Sequence, residues 1–108
     1  MDWKVVETNY ARIYLAGEIE IAKQALREEC ILSGLCVTIH PTEYIYTGGQ
    51  ETGFVVELLN YPRFPSAPEE LLARAKDLAL KLRDRCCQLA VMVVTPQQTF
   101  WMKLEPPR

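Results

Sequence analysis

Arg12, Tyr14, Thr38, His40 and Glu57 are the residues of this chain whose types and spacing could do chemistry together. Each stands beside apolar neighbours: Ile13 and Leu15 flank Tyr14, Val37 and Ile39 flank Thr38, and Val56 and Leu58 flank Glu57. Successive side chains of a strand point to opposite faces, so if the apolar set faces a core, these polar residues share the other face. A guanidinium, a phenol, a hydroxyl, an imidazole and a carboxylate gathered there would bind a polar or anionic ligand. His40 in contact with Glu57 would also suit acid–base work, because a neighbouring carboxylate orients and charges an imidazole. The competing reading is a solvated face or a wet dimer interface, since alternation leaves such a face in nearly every two-layer protein.

A second group lies in Tyr44 to Pro65, YIYTGGQETGFVVELLNYPRFP. Backbone amides of the turn from Thr47 to Gly53, with Gly48 and Gly49 at its start, can cradle a phosphate. The segment is not a P-loop, because Phe54 follows Gly53 where that motif requires Lys. The alternative is that these glycines only close a hairpin. Tyr46, Tyr61 and Arg63, with Tyr44 and Phe64, add the aromatic and guanidinium groups favoured as anchors in binding sites. Tyr61 and Phe64 have a second reading, packing over the end of the second helix as a hydrophobic staple. The candidate ligand-binding set is thus Arg12, Tyr14, Thr38, His40, Tyr46, Gly48, Gly49, Glu57, Tyr61 and Arg63.

No catalytic residue is assigned. The chain has no Gly-x-Ser-x-Gly elbow, His-Glu-x-x-His helix or paired-carboxylate motif, and a cysteine nucleophile would have only His40 as its histidine base. One histidine and four cysteines without Cys-x-x-Cys spacing make no zinc pattern, so neither metal nor cofactor is expected. Cys30 and Cys36 lie among apolar residues, and Cys86 and Cys87 are adjacent; reduced, mostly buried thiols are the better reading.

The elements that must position these residues follow from periodicity. Tyr10 to Ala16 alternates as a half-buried strand and Gly17 ends it. Glu18 to Ser33 changes to a helical stripe of Ile19, Ala22, Ala25, Leu26 and Cys30, stopped by Gly34. Leu35 to Thr47 alternates again, with Pro41 marking a bulge or an edge. Phe54 to Leu59 returns as the partner strand of a hairpin whose loop spans roughly residues 48 to 53. Ser66 and Glu69 have capping-box spacing ahead of a second helical stripe, Leu71, Ala75, Leu78, Leu82 and Cys86. Leu89 to Thr95 reads as a central strand and Thr99 to Leu104 as an added edge strand. This order predicts an α+β fold: a two-layer, ferredoxin-like βαββαβ sandwich with an antiparallel sheet and both helices on one face. One domain spanning residues 1–108 is expected from the length.

A net charge of -2 gives no positive field for a phosphate backbone, so duplex nucleic acid is not an expected partner. No apolar run matches a membrane span or a signal peptide, which points to a cytoplasmic protein without a membrane partner. An uncovered sheet face carrying Tyr14, Val55 and Leu59 predicts a homodimer.

Two resemblances add to this reading. Arg12-Ile13-Tyr14-Leu15-Ala16-Gly17 resembles the first-strand motif of nucleoside deoxyribosyltransferases, although Glu18 stands where that family has Pro and its catalytic acidic motifs have no counterpart. Residues 13–17, 44–49 and 60–65 (IYLAG, YIYTGG and NYPRFP) resemble small bacteriophage and prophage proteins over most of the chain. The second resemblance implies a phage accessory protein acting in the host cytoplasm. Without a catalytic signature, the expected function is non-enzymatic: antagonism of host defence by sequestering a small nucleotide-like ligand or occluding a host protein. The alternatives are a small enzyme acting on a nucleotide or sugar through His40 and Glu57, and a virion or assembly component.

Overall fold

In a computed structural model, described over residues 1–104, the chain forms five strands and two helices. These are β1 (Tyr10–Ala16), α1 (Ile19–Ser33), β2 (Thr38–Tyr46), β3 (Gly49–Leu59), α2 (Pro68–Arg85), β4 (Ala90–Val94) and β5 (Thr99–Lys103). One antiparallel sheet has the order β2-β3-β1-β4-β5, so each helix crosses over one intervening strand and the sequence's split βαβ pattern is realised. β5 is the added edge strand expected over Thr99 to Leu104.

The helix-facing side of the sheet is the core. Ala11, Ile13 and Leu15 of β1 meet Phe54, Val56 and Leu58 of β3 and Val91 and Val93 of β4, and all are buried. Ala22, Ala25 and Leu26 of α1 and Leu71, Ala75, Leu78 and Leu82 of α2 close over them. Both predicted helical stripes therefore face inward. Lys81 to Glu29 at 3.0 Å and Arg85 to Glu28 at 2.5 Å tie the helices together at the surface. The Glu28 carboxyl is held below the usual carboxylate range, chiefly by its hydrogen bond from Arg85.

Three local expectations are corrected. The hairpin loop is not residues 48 to 53: the turn is Thr47-Gly48, and Tyr46 already pairs with Gly49. Gly48 takes φ 86, which glycine alone adopts freely. Gln50, Glu51 and Thr52 read as loop because they are polar, yet they pair only with β2, beyond the end of β1, where neither face has a core to require alternation. The second helix lacks its capping box: Ala67 is the N-cap and makes no side-chain bond, while the Ser66 N–H donates to Asn60 Oδ1 at 2.8 Å. Pro68 at the first helical position sets the start instead. Finally, Cys86 is buried and Cys30 half-buried, but Cys36 and Cys87 are exposed; all four are free thiols.

Pro41 lies on an edge strand, where its missing N–H faces no neighbour. Gly34 caps α1 at φ 65, its N–H bonded to Cys30 O at 3.0 Å. α2 ends in a tighter device. Gln88 N–H reaches Arg83 O at 2.9 Å and Cys87 N–H reaches Asp84 O at 3.2 Å, the paired bonds of a Schellman motif. The left-handed position of that motif is Cys87, φ 56, where glycine would be unstrained.

Candidate functional site

The face away from the helices carries Tyr10, Arg12 and Tyr14 of β1, Val55, Glu57 and Leu59 of β3, Thr38, His40 and Tyr44 of β2, Met92 of β4 and Trp101 of β5, as the strand registers require. No described element covers it. Arg12, Glu57 and Thr38 are consecutive cross-strand partners, so the sequence-predicted guanidinium, carboxylate and hydroxyl do converge. Arg12 Nε donates to Glu57 Oε2 at 2.6 Å, and the guanidinium lies 4.2 Å from the centre of the Tyr10 ring. That bond to the Glu57 carboxylate is the main cause raising the Arg12 pKa above its ordinary value. Thr38 Oγ1 is buried with no protein partner beside this pair.

His40 is not joined to Glu57. It is exposed, stands opposite Val55, and has no side-chain hydrogen bond among the described residues. Glu57 is already engaged by Arg12, so the acid–base dyad considered from the sequence is not formed in this structure.

The hairpin glycines have a specific use. A Cβ on Gly49 would lie 2.8 Å from the Tyr46 ring, and one on Gly53 would lie 2.6 Å from the Tyr44 ring and collide with the Leu15 carbonyl oxygen. Each glycine is thus a seat for a tyrosine, which covers the backbone that a side chain would otherwise cover. Seated in this way, Tyr44 directs its hydroxyl to Leu15 O at 3.3 Å and Phe54 O at 3.2 Å, and Tyr46 donates to Glu51 Oε1 at 3.0 Å. Burial raises the Tyr44 phenol pKa, and the Glu51 carboxylate raises that of Tyr46, so both remain protonated donors at neutral pH.

These seated tyrosines form one wall of a trough of about 510 Å³, within the size range of ligand sites. Tyr14 and Met92 lie on its floor, Trp101 on the opposite wall, and Glu51, Cys87 and Gln88 at its outer end. Tyr14 follows Arg12 by two positions on β1, so the Arg12–Glu57 pair lies about 7 Å from the trough floor on the same face. Tyr61 and Arg63 are elsewhere. The 11 residues of β3 separate them from Tyr46, Gly48 and Gly49 by roughly 35 Å. Tyr61 receives the Cys36 thiol at 3.6 Å, and Arg63 lies over Phe64. Sequence reasoning missed Trp101, Glu51 and Met92. The alternation of Thr99 to Lys103 could have placed Trp101 on the open face, but only the strand order puts β5 beside β4.

Among the described residues no cluster of His, Cys, Asp or Glu could hold a metal ion, and no helix is long and apolar enough to cross a membrane.

No protein-family model and no curated protein sequence matches this chain. Among solved structures it is similar to a phage SAM lyase in the apo state, with a TM-score of 0.75 and 15% identity, covering 100% of this chain and 99% of that one. It is also similar to a phage SAM lyase in complex with S-methyl-5'-thioadenosine, with a TM-score of 0.68 and 15% identity, covering 100% of this chain and 98% of that one. Both neighbours are phage proteins, in keeping with the sequence resemblance to phage proteins. They also correct the expectation of a non-enzymatic binding protein. These two solved structures, similar to this chain from end to end, are those of an enzyme, a SAM lyase.

Proposed function

We propose that this chain is a lyase acting on S-adenosylmethionine, with the aromatic trough taking the adenosine and sulfonium and Glu57 taking the amino-acid end. The observation that carries the reading is the trough itself, set beside the Arg12–Glu57 pair on the open face of a fold shared end to end with SAM lyase structures. The chemistry accounts for the missing catalytic motif. A sulfonium is already an activated leaving group: when its carbon–sulfur bond breaks, the electron pair stays on sulfur and a neutral thioether departs without protonation. In a lyase no water is added. The remaining carbon fragment resolves itself by closing its own carboxylate oxygen onto the carbon that sulfur leaves. The protein's task is then orientation and exclusion of water, which need neither a nucleophile nor a general acid.

The residues suit those tasks. Tyr14, Tyr44 and Trp101 offer π-faces to the purine and to a cationic sulfur. The Glu51 carboxylate, held by Tyr46, can accept from ribose hydroxyls. Glu57, with one oxygen fixed by Arg12, keeps the other for the substrate ammonium. Because Arg12 is occupied by Glu57, the substrate carboxylate stays unpaired and able to attack. Arg12 is therefore a positioning residue. A phage enzyme of this kind, working in the host cytoplasm, would deplete the methyl donor used by host methyl-transfer reactions.

The test is equilibrium binding of S-methyl-5'-thioadenosine. The parent chain should bind it, and Trp101→Ala should weaken binding about 10–100-fold, the usual worth of stacking one base. Undiminished affinity in that variant would remove the trough as the nucleoside site.

A further inference from the structure

The two edges of the sheet are treated differently. β2 carries Pro41 and Glu43, a missing donor and a charge that deter pairing with another chain. β5 presents Phe100, Trp101 and Met102 in its centre, and among the described residues nothing pairs with its outer edge. On the helix side of that edge, α2 and β5 enclose an apolar groove of about 260 Å³ lined by Leu80, Phe100 and Met102. Cations border it. Lys76 lies 4.1 Å from the centre of the Phe100 ring, and Arg83, only 9% exposed, sends Nη1 to Met102 Sδ at 3.5 Å while its Nε has no acceptor.

A second unpartnered feature is the segment preceding β1. Asn60 fixes it at Glu7 O, by 2.9 Å from Nδ2, and at Asn9 O, by 3.0 Å from the backbone N–H. Before that point the backbone has no regular structure, with Trp3 93% and Val5 84% exposed. In an extended segment Trp3 and Val5 share a face, so this stretch has the form of a strand without a sheet.

We propose that residues 2–6 of one copy add as a sixth strand to the outer edge of β5 in a second copy, with Trp3 and Val5 seated in the groove between α2 and β5. The five residues match the five of β5. In an extended arm Glu7 follows Trp3 and Val5 on the same face, with Asp2 and Lys4 on the other, and Lys76 lines the groove, so the charge that accompanies the apolar pair is complementary to the acceptor. The contact joins two different surfaces, arm to edge, and buries the exposed tryptophan of one copy against the unguarded edge of the next.

Light scattering coupled to size exclusion at tens of micromolar tests this with two variants altered at exposed positions, Trp3→Ser with Val5→Ser in the arm, and Met102→Lys on the edge. The parent should run as a multiple of one chain mass and each variant as a single chain. When mixed, the two variants should form a species of two chains, because the intact arm of the edge variant docks on the intact edge of the arm variant. A monomeric parent, a variant that keeps the parent's mass, or a mixture that remains monomeric would each overturn the proposal.

Discussion

In the proposed lyase, Glu57 is the residue on which recognition of the whole substrate turns. Among the described residues its carboxylate is the one acidic group at the centre of the open face, and Arg12 holds it at 2.6 Å with the Glu57 side chain 19% exposed. Glu57→Gln keeps the shape but removes the charge that faces the substrate ammonium. The expected result is a KM for S-adenosylmethionine raised about 10–100-fold, the worth of a hydrogen bond to a charged group. Binding of S-methyl-5'-thioadenosine, which has no amino-acid end, should change less than about twofold. Kinetics and titration calorimetry on one preparation separate these results, and an equal loss for both ligands would assign Glu57 to folding rather than recognition. That Arg12, Thr38 and Glu57 share a face was legible in the sequence, because alternation with Ile13, Ile39 and Val56 fixes the face. Their pairing was not, because which strands become neighbours depends on topology, and Glu57 takes Arg12 rather than His40.

The β2–β3 hairpin builds one wall of the trough, and its glycines seat the tyrosines above them. Gly53→Ala drives a methyl group into the Leu15 carbonyl and the Tyr44 ring. It should destabilise the fold by roughly 2 kcal/mol or more, read from the midpoint of a urea titration, since strain at a close backbone contact is among the larger point-mutation effects. A change under about 0.5 kcal/mol would mean that the close approach is not needed. At the other side of the trough, Cys87→Gly relieves the left-handed strain at the end of α2 and should raise stability by up to about 1 kcal/mol by the same titration. A loss of stability there would show that the thiol's packing outweighs the strain. Both helical stripes and the strands β1, β2 and β3 were legible because each has a core-facing period, whereas β4 was legible as a continuous apolar run. The hairpin turn and the capping box were not: residues 50 to 52 lie beyond the sheet's core, and Asn60 captures the N–H that precedes the helix.

For the whole molecule, the sandwich leaves one face of a five-stranded sheet bare, and the proposed site lies on that face, built by all five strands and no helix. This is why no contiguous motif marks it: Arg12, Tyr44, Glu57 and Trp101 come from four strands and meet only when the sheet forms. Element order could be read from the sequence between Tyr10 and Leu104, whereas the proposed activity, on a substrate that is already activated, would leave no nucleophile or base to read. The direct test is to incubate the purified protein with S-adenosylmethionine and follow the products by chromatography and mass. The account predicts time- and enzyme-dependent release of S-methyl-5'-thioadenosine in step with substrate loss, without incorporation of solvent oxygen-18 at the carbon–sulfur cleavage step. Substrate recovered intact under conditions where the protein is folded would contradict it.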